Sequence, residues 1–331
     1  MHTDGALRRS IAAAGAVLLA FGVPACGAAE RAPAQQAGHS RLALEPGRDL
    51  PFPLRGITTD SVENRDELVR SVADLSSAPT VRIVFQEDAS VGDYAAAIDR
   101  LRPHAYLMGE LLDSEALSGF SVGQVRERAE EFVAAYGDRI DVWEIGNELN
   151  GSWTGGSPAE INEKVQAAYD VVEKHGGRTA LTLNHWSGPD CYEKSWEPTA
   201  TYARRMPARL RNGVDFVLLS IYETACSPAQ HPSPRQIGDM LVRLGKTFPD
   251  AKLGIGEIGA QGKQDGLSKN PGLPEKQRLA ERYYGMQHEL QQHLGPRFIG
   301  GYFWWYYHDD AVPRGRTGSL WPTLNRLLHS L

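Results

Sequence analysis

Short apolar runs alternate with amphipathic stretches along this chain, and that alternation is the feature that most constrains its fold. The eight runs are LRGIT (54–58), TVRIVF (80–85), HAYLMG (104–109), IDVWEI (140–145), TALTLN (179–184), FVLLSIY (216–222), KLGIG (252–256) and FIGGYFWW (298–305). The stretches between them carry apolar residues at spacings of three and four, which indicates amphipathic helices. Eight strand and helix pairs in about 280 residues predict a single α/β domain, a (β/α)8 TIM barrel. A doubly wound sheet is the alternative, although it rarely needs eight regular units.

The composition is that of a globular protein with a neutral ligand. The chain has 331 residues, 41% of them hydrophobic, and no composition break divides residues 50–331. These residues are therefore predicted to form one domain. The formal net charge is -6 and there is no long Lys/Arg run. Both observations argue against a nucleic-acid partner, because binding phosphates requires a concentrated positive surface.

Residues 1–25 are predicted to be an export signal. Arg8 and Arg9 precede the apolar run 11–23, which is too short to span a bilayer comfortably but is typical of a signal-peptide core. The run ends in VPAC, which is similar to the bacterial lipobox, so its Cys26 is a candidate for lipid attachment. A lipid anchor there would be the only contact with a membrane. The prediction is an exported cell-envelope lipoprotein.

An ordinary signal peptide cleaved near Ala25 or Ala28 is the alternative, and it gives a secreted protein. Residues 26–49 are rich in Ala, Gln, Pro and Gly and lack hydrophobic periodicity, so they are predicted to be a flexible linker. Export also affects how the other two cysteines are interpreted. In an oxidising compartment Cys191 and Cys226 are expected to form a disulfide rather than a metal site or a reactive thiol.

Two glutamates follow predicted strands of the barrel. Glu148 closes the fourth strand in the sequence GNE, and Glu257 closes the seventh in GIGE. A lone glutamate at such a place is usually a solvated loop residue, but the ends of barrel strands converge on one mouth. A facing pair of carboxyls, one protonated and one ionised, is what cleavage of a glycosidic bond requires. The pair therefore predicts a glycosidase site.

The motifs WEIGNELN and LGIGEIG resemble those of the clan A glycoside hydrolases, the retaining β-glycosidases built on a TIM barrel. The resemblance implies that Asn147 and Glu148 form the Asn-Glu pair of strand 4, with Glu148 as the acid/base. It also implies that Glu257 is the nucleophile of a double displacement. No cofactor and no metal belong to this mechanism.

The resemblance extends to residues around the two glutamates. TVRIVF is similar to the second strand of cellulase-like members, which implies that Arg82 keeps the nucleophile ionised. By position, Tyr222 is implied to hydrogen-bond the nucleophile, and Trp305 to form the floor of a sugar subsite. Asn184 and Trp186 close strand 5, where polar and aromatic side chains often line a subsite; we interpret them as substrate-binding, with packing as the alternative.

A β-linked polysaccharide or oligosaccharide is the expected substrate, and the protein is expected to be a monomer. GNELNGSW has some likeness to endo-galactanases, whereas strands 1 and 2 resemble cellulase-type members, so the sequence leaves the sugar and the family open. Endo action is preferred over exo action. The alternative function is a surface lipoprotein that binds glycans without cleaving them. The hypothesis of a nicotinamide-dependent oxidoreductase depends only on the G-x-G-x-x-G motif of Gly254, Gly256 and Gly259. A dinucleotide-binding motif begins a helix, whereas no helical periodicity follows this one.

Other polar residues near the predicted strand ends are weaker candidates. Glu144 lies four residues before the acid/base and is expected to be a structural acid inside the barrel. His288 and His293 are five residues apart, whereas H-E-x-x-H needs four, so zinc binding is not expected there. Asp309 and Asp310 follow the eighth strand and fit a solvated turn as well as a sugar contact.

Overall fold

The computed structural model describes residues 38–260, except 224 and 227, and residues 271–331. The predicted signal segment, Cys26 and most of the predicted linker lie outside these residues. Within the described part of the chain, none of the helices combines the length and the apolarity that crossing a membrane requires.

Eight parallel strands form a closed barrel in which each strand pairs with the next and the last pairs with the first. They are β1 (Leu54–Thr59), β2 (Thr80–Val84), β3 (Tyr106–Glu110), β4 (Val142–Glu144), β5 (Thr179–Asn184), β6 (Phe216–Ile221), β7 (Lys252–Ile258) and β8 (Phe298–Trp304). This arrangement confirms the predicted (β/α)8 barrel, and closure of the sheet excludes the doubly wound alternative.

Helices lie between the strands and follow the last one. They are α1 (Arg65–Ala73), α2 (Val91–Leu101), α3 (Ser114–Leu117), α4 (Val122–Tyr136), α5 (Pro158–Lys174), α6 (Thr199–Arg205), α7 (Ala208–Gly213), α8 (Pro234–Thr247), α9 (Leu273–Tyr284), α10 (Gln287–Leu294), α11 (Tyr307–Ala311) and α12 (Trp321–Ser330). Apolar spacing along residues 200–210 predicts one helix, but the stretch is divided before Pro207, which lacks the N–H that a continuous helix needs. The stretch 274–294 is divided at Gly285, a weak helix former.

The barrel interior changes character along its axis. Side chains that share one face of a strand are two residues apart, so Met108 and Glu110 of β3 both point inward, as do Val142 and Glu144 of β4. The inner layer nearest the strand starts is apolar; it comprises Leu54, Met108, Val142, Ala180, Phe216, Leu218, Ile299 and Phe303. The next layer, towards the strand ends, is polar. The charged groups inside the barrel, Arg82, Glu110 and Glu144, thus lie towards the end where TIM-barrel enzymes have their active sites.

Residues 38–49 pack against the opposite end of the barrel. Arg48 is only 8% exposed, and its Nε donates a 2.9 Å hydrogen bond to Asp141, directly before β4. Its guanidinium also donates to the carbonyl oxygens of Arg102 and Ala105. These residues were expected to belong to the linker because they lack hydrophobic periodicity, but here a buried arginine, rather than an apolar pattern, attaches them. The packed domain begins before the expected start at Leu50.

Candidate active site

A cavity of about 840 Å³ opens at the ends of the strands and is lined by both predicted catalytic residues, Glu148 and Glu257. Five aromatic side chains also line it, those of Trp153, Trp186, Tyr222, Trp305 and Tyr306. A second cavity, of about 490 Å³, lies near Asp49 and Lys252 at the other end of the barrel and includes none of the predicted site residues. The chemistry is therefore confined to the first cavity.

Glu148 reaches the cavity through an irregularity after β4. The backbone of Gly146 accepts a hydrogen bond from Thr182 N, and Leu149 N donates to Thr182 O, so Asn147 and Glu148 loop out opposite one residue of β5. Glu148 has φ 47°, in the left-handed region that side chains other than glycine rarely adopt. Such strained bulges commonly redirect a side chain at a functional site. Glu148 is thus presented by a bulge rather than by the continuous strand that the sequence suggested.

Two serines contact the carboxyl group of Glu148. Ser220 Oγ donates to Oε1 at 2.6 Å, and Ser114 Oγ donates to Oε2 at 3.3 Å. Trp153 Nε1 in turn donates to Ser114 Oγ at 3.2 Å. Burial, and next the negative charge of Glu257, raise the pKa of Glu148 to about 8. The carboxyl, which is half-buried and open only towards the cavity, therefore holds a proton at neutral pH.

Glu257 follows a second irregularity, in β7. Leu219 pairs with Ile255 and Ser220 pairs with Glu257, so Gly256 is an extra residue opposite β6. A Cβ on Gly256 would lie 2.7 Å from the side chains of Leu218 and Thr182, so only glycine fits this bulge. Gly254 and Gly256 of the glycine motif therefore lie within β7, where Gly256 has a packing role.

The Glu257 carboxylate accepts three hydrogen bonds. Arg82 Nη2 donates at 2.6 Å, the Tyr222 hydroxyl at 2.6 Å and Asn147 Nδ2 at 3.3 Å. Burial raises the pKa of Glu257, but the guanidinium and the phenol oppose this effect because both favour the ionised form. None of the described residues places a cation beside Glu148, so of the two carboxyls Glu148 takes the proton first.

Arg82 lies beneath the cavity and contacts three carboxyl groups. Besides Glu257, it contacts Glu144 through Nη1 at 3.2 Å and Glu110 through Nε at 3.5 Å. Burial lowers the pKa of Arg82, but these carboxyls raise it more, so the net shift is upward and the guanidinium stays charged. Glu144 also accepts from Thr182 Oγ1, which fits the expectation of a structural acid inside the barrel.

Glu110 differs from the other two acids around Arg82. It is fully buried, and neither of its carboxyl oxygens has a hydrogen-bond partner. Burial raises the pKa of Glu110 well above its ordinary value, because an ion there would lose its hydration without receiving donors. One guanidinium cannot compensate three buried carboxylates. We therefore assign the neutral form to Glu110 and the charge of Arg82 to Glu144 and Glu257.

The remaining predicted residues lie at the cavity or beside it. Asn147, Asn184 and Trp186 line the cavity. Trp305 lines it as well, with the Arg82 guanidinium 4.9 Å from its ring centre. Neighbouring Trp304 is instead fully buried.

Two further sequence questions have structural answers. Asp310 is buried and accepts a 2.9 Å hydrogen bond from Trp304 Nε1, so it is a structural acid, whereas Asp309 is exposed. Cys191 and Cys226 form a disulfide that joins the loops after β5 and β6. Within the part of the chain that the structure describes, no group of His, Cys, Asp and Glu side chains is arranged to hold a metal ion.

Several contacts in the site were not predicted from the sequence. Ser220 lies two residues before Tyr222 on the same strand, so its inward direction was readable, but serine gives no specific signal. Ser114 begins α3 and Trp153 lies in the loop after β4, and only the three-dimensional structure brings them to Glu148. Glu110 was missed because the expected third strand ended one residue earlier.

Known proteins share the fold of this chain but little of its sequence. No protein-family model and no curated protein sequence matches it. The structure is similar to that of a family 1 β-glucosidase from Thermotoga maritima, with 12% identity, a TM-score of 0.54 and coverage of 78% of this chain and 89% of that one. It is similar to the apo structure of β-glucosidase 1317, with 14% identity, a TM-score of 0.56 and coverage of 80% and 87%.

A two-activity enzyme from Prevotella bryantii, an endo-β-mannanase/endo-β-glucanase, is also similar. It shares 16% identity with a TM-score of 0.52, over 87% of this chain and 48% of that one. At these identities the likeness concerns the fold. The chain therefore has a barrel of the kind found in glycoside hydrolases, and its activity must be argued from the site.

Proposed function

We propose that this protein is a retaining glycoside hydrolase that cleaves β-linked glycans by double displacement. One observation carries the proposal: two glutamates line one cavity in opposite electrostatic environments. Glu257 is bound by a guanidinium, a phenol and an amide, whereas Glu148 is bound by two hydroxyls and has a pKa raised to about 8 by burial and the nearby charge. An ionised and a protonated carboxyl are the two forms that this reaction needs.

In the first step, a carboxylate oxygen of Glu257 attacks the anomeric carbon while Glu148 donates its proton to the glycosidic oxygen. The bond between the anomeric carbon and that oxygen breaks, the leaving sugar departs as an alcohol, and a glycosyl ester on Glu257 remains. Arg82 and Tyr222 hold Glu257 in its ionised form before the attack. The charge of Glu148 becomes negative at this point.

In the second step, Glu148 removes a proton from water, whose oxygen attacks the anomeric carbon and displaces Glu257. Both glutamates return to their starting forms, and the sugar keeps its configuration. The loss of negative charge on Glu257 during the intermediate supports the change of role, since that charge is one of the two main causes of the raised pKa of Glu148. The pKa of Glu148 therefore falls when the ester forms, and the residue becomes a base.

The cavity supports an oligosaccharide or polysaccharide as substrate. Its volume of about 840 Å³ is typical of sites for ligands larger than a single sugar ring. Trp153, Trp186, Trp305 and Tyr306 offer aromatic faces to sugar rings. Endo action is the preferred form of the proposal.

Release of reducing ends from a panel of β-glucans, mannans, galactans and xylans tests the proposal. Wild type should release reducing ends from at least one glycan, and Glu148→Gln and Glu257→Gln should not. Binding of a glycan without any release, together with unchanged binding by both variants, would instead support the non-catalytic glycan-binding lipoprotein. That alternative has no need for a protonated and an ionised carboxyl in one cavity.

We also propose export and lipid attachment at Cys26, on the basis of the signal-like segment and the VPAC motif. The disulfide between Cys191 and Cys226 supports an oxidising compartment. In a bacterial host, wild type should partition with membranes and be labelled by a radioactive fatty acid, whereas Cys26→Ser should not be labelled. An unlabelled wild type recovered from the medium would favour the ordinary signal peptide.

A further inference from the structure

The described residues that line the cavity carry an excess of negative charge. Besides Glu148 and Glu257, five carboxylates line it: Asp60, Asp113, Glu115, Glu193 and Glu197. None of the described residues that line the cavity is Lys, Arg or His. A cavity with walls of one charge attracts ligands of the opposite charge and repels those of the same charge.

Arg82, a buried cation among the described residues, does not compensate this excess. Arg82 is beneath the cavity, and its guanidinium is shared by the carboxyls of Glu110, Glu144 and Glu257. The charge of Arg82 therefore does not neutralise the other acids that line the cavity. Glu197 already has hydrogen-bond donors within the protein, because its two oxygens accept from the backbone N–H groups of Ser152 and Lys194.

Asp60, directly after β1, is a partly buried acid of the cavity that no described cation pairs with. Its carboxyl makes no hydrogen bond or ion pair with the side chain of any described residue, although it is only partly exposed. Burial raises the pKa of Asp60, and the charges of Asp309 and Asp113 add to this effect, while a hydrogen bond from its own backbone N–H and the charge of His308 oppose it. A cationic group on a ligand would supply the partner that Asp60 lacks.

Asn147 gives a second and independent indication of what the ligand carries. It lines the cavity, is 1% exposed, and its Oδ1 has no hydrogen-bond partner, whereas its Nδ2 donates to Glu257. A buried acceptor of this kind requires an N–H or O–H donor. The donor would lie beside the nucleophile, next to the sugar ring that reacts.

We propose that the substrate is a β-linked glycan of hexosamine units whose amino groups are free and protonated. An ammonium group offers three N–H donors and a positive charge, which match the unpaired acceptor of Asn147 and the acids at Asp60 and Asp113. N-acetylation removes the charge, and a uronate replaces it with a negative one. This inference rests on the proposed glycosidase function and specifies its substrate class.

Hydrolysis and binding of four matched oligomers test the inference: β-linked glucosamine, its N-acetylated form, a neutral β-glucan and a β-linked uronate. At about pH 5.5 the free amino group is protonated, because amines lose their proton only at higher pH. We expect kcat/KM for the glucosamine oligomer to exceed that for each of the others by at least about tenfold. Added salt should reduce this preference, because the cavity is open to solvent and salt screens its charges.

Removing one charge from the cavity should reduce the preference. In Asp60→Asn, the ratio of kcat/KM for the glucosamine oligomer to that for the neutral oligomer should fall about fivefold to tenfold. Asp250→Asn is the matched control, since Asp250 is an exposed acid at the other cavity. It should leave the ratio unchanged. Asp113→Asn provides a second variant, in case Asp60→Asn fails to fold.

The outcomes separate the inference from the proposed function. Equal or faster cleavage of the neutral, acetylated or uronate oligomer overturns the inference and leaves the glycosidase function intact. Tight, salt-sensitive binding of the glucosamine oligomer without cleavage of any oligomer overturns the glycosidase and keeps the ligand class. If the glucosamine oligomer is neither cleaved nor bound, the inference is overturned. Cleavage of another glycan then decides the proposed function.

Discussion

Ser220 donates a hydrogen bond of 2.6 Å to Glu148, although the two residues belong to parts of the barrel separated by β5. The same serine pairs with Glu257 in the ladder between β6 and β7. Ser220 thus lies between the two carboxyls and contacts only the one that we assign as the acid/base. A hydroxyl donor stabilises the ionised form of a carboxyl, so this contact lowers the pKa of Glu148.

Ser220→Ala should therefore raise the pKa of Glu148. The basic limb of the profile of kcat/KM against pH reports loss of the acid's proton in the free enzyme, and it should move to higher pH by about one unit. Ser114→Ala should move it less, because the Ser114 contact is longer, at 3.3 Å. A basic limb that stays in place or moves to lower pH in Ser220→Ala would show that Glu148 is not the group that limits activity there.

Tyr222→Phe acts on the other carboxyl. Removing the phenol takes away a 2.6 Å donor to Glu257, so the pKa of Glu257 should rise and the acidic limb should move to higher pH. We expect kcat/KM to fall about tenfold to hundredfold, as for loss of a hydrogen bond to a charged group. Tyr284→Phe is the control: its hydroxyl bonds the Gly56 carbonyl, and its loss should not move the acidic limb. Equal acidic limbs in wild type and Tyr222→Phe would contradict the assignment.

Azide distinguishes the two catalytic roles. Glu257→Ala should lose turnover, and azide, attacking in place of the missing carboxylate, should give a glycosyl azide of inverted configuration. Glu148→Ala should lose about 10²- to 10⁴-fold in activity on substrates with poor leaving groups, and azide should give a product of retained configuration. NMR of the anomeric centre measures both. If the configurations were exchanged between the variants, the two roles would have to be exchanged as well.

The charge assignment around Arg82 predicts unequal effects on stability. Glu110→Gln replaces a neutral acid by a neutral amide and should change the free energy of unfolding by about 1 kcal/mol or less. Glu144→Gln removes a carboxylate that accepts from Arg82 and Thr182, and it should cost about 3–5 kcal/mol. Chemical denaturation at neutral pH gives both values. A loss for Glu110→Gln as large as that for Glu144→Gln would mean that Glu110 is ionised.

The sequence was sufficient to predict which residues meet at the barrel mouth. Alternation of apolar and amphipathic segments places Glu148 and Glu257 after β4 and β7, and closure of the sheet brings those ends together. Periodicity could not predict the bulges, because they depend on which backbone groups of β5 and β6 pair with the bulged segments. A left-handed φ at Glu148 is likewise a property of the closed barrel, and nothing in GNE requires it.

Contacts between distant loops were also beyond sequence reasoning. Ser114 and Trp153 are separated from each other by 39 residues, and only packing joins them beneath Glu148. The neutral state of Glu110 depends on the absence of donors around it, which a sequence does not show. In contrast, Arg82 and Tyr222 contact Glu257 as the family resemblance implied.

The disulfide between Cys191 and Cys226 affects how the recombinant protein should be judged. Cys191 and Ala225 both line the cavity, so the bond ties together two loops of its rim, while the two glutamates sit on the barrel itself. Protein made in a reducing cytoplasm would keep its catalytic centre, but the loops after β5 and β6 would lack the bond that joins them. Normal turnover of a small aryl glycoside together with poor turnover of a long glycan would identify an unoxidised preparation, and the remedy is expression in an oxidising compartment.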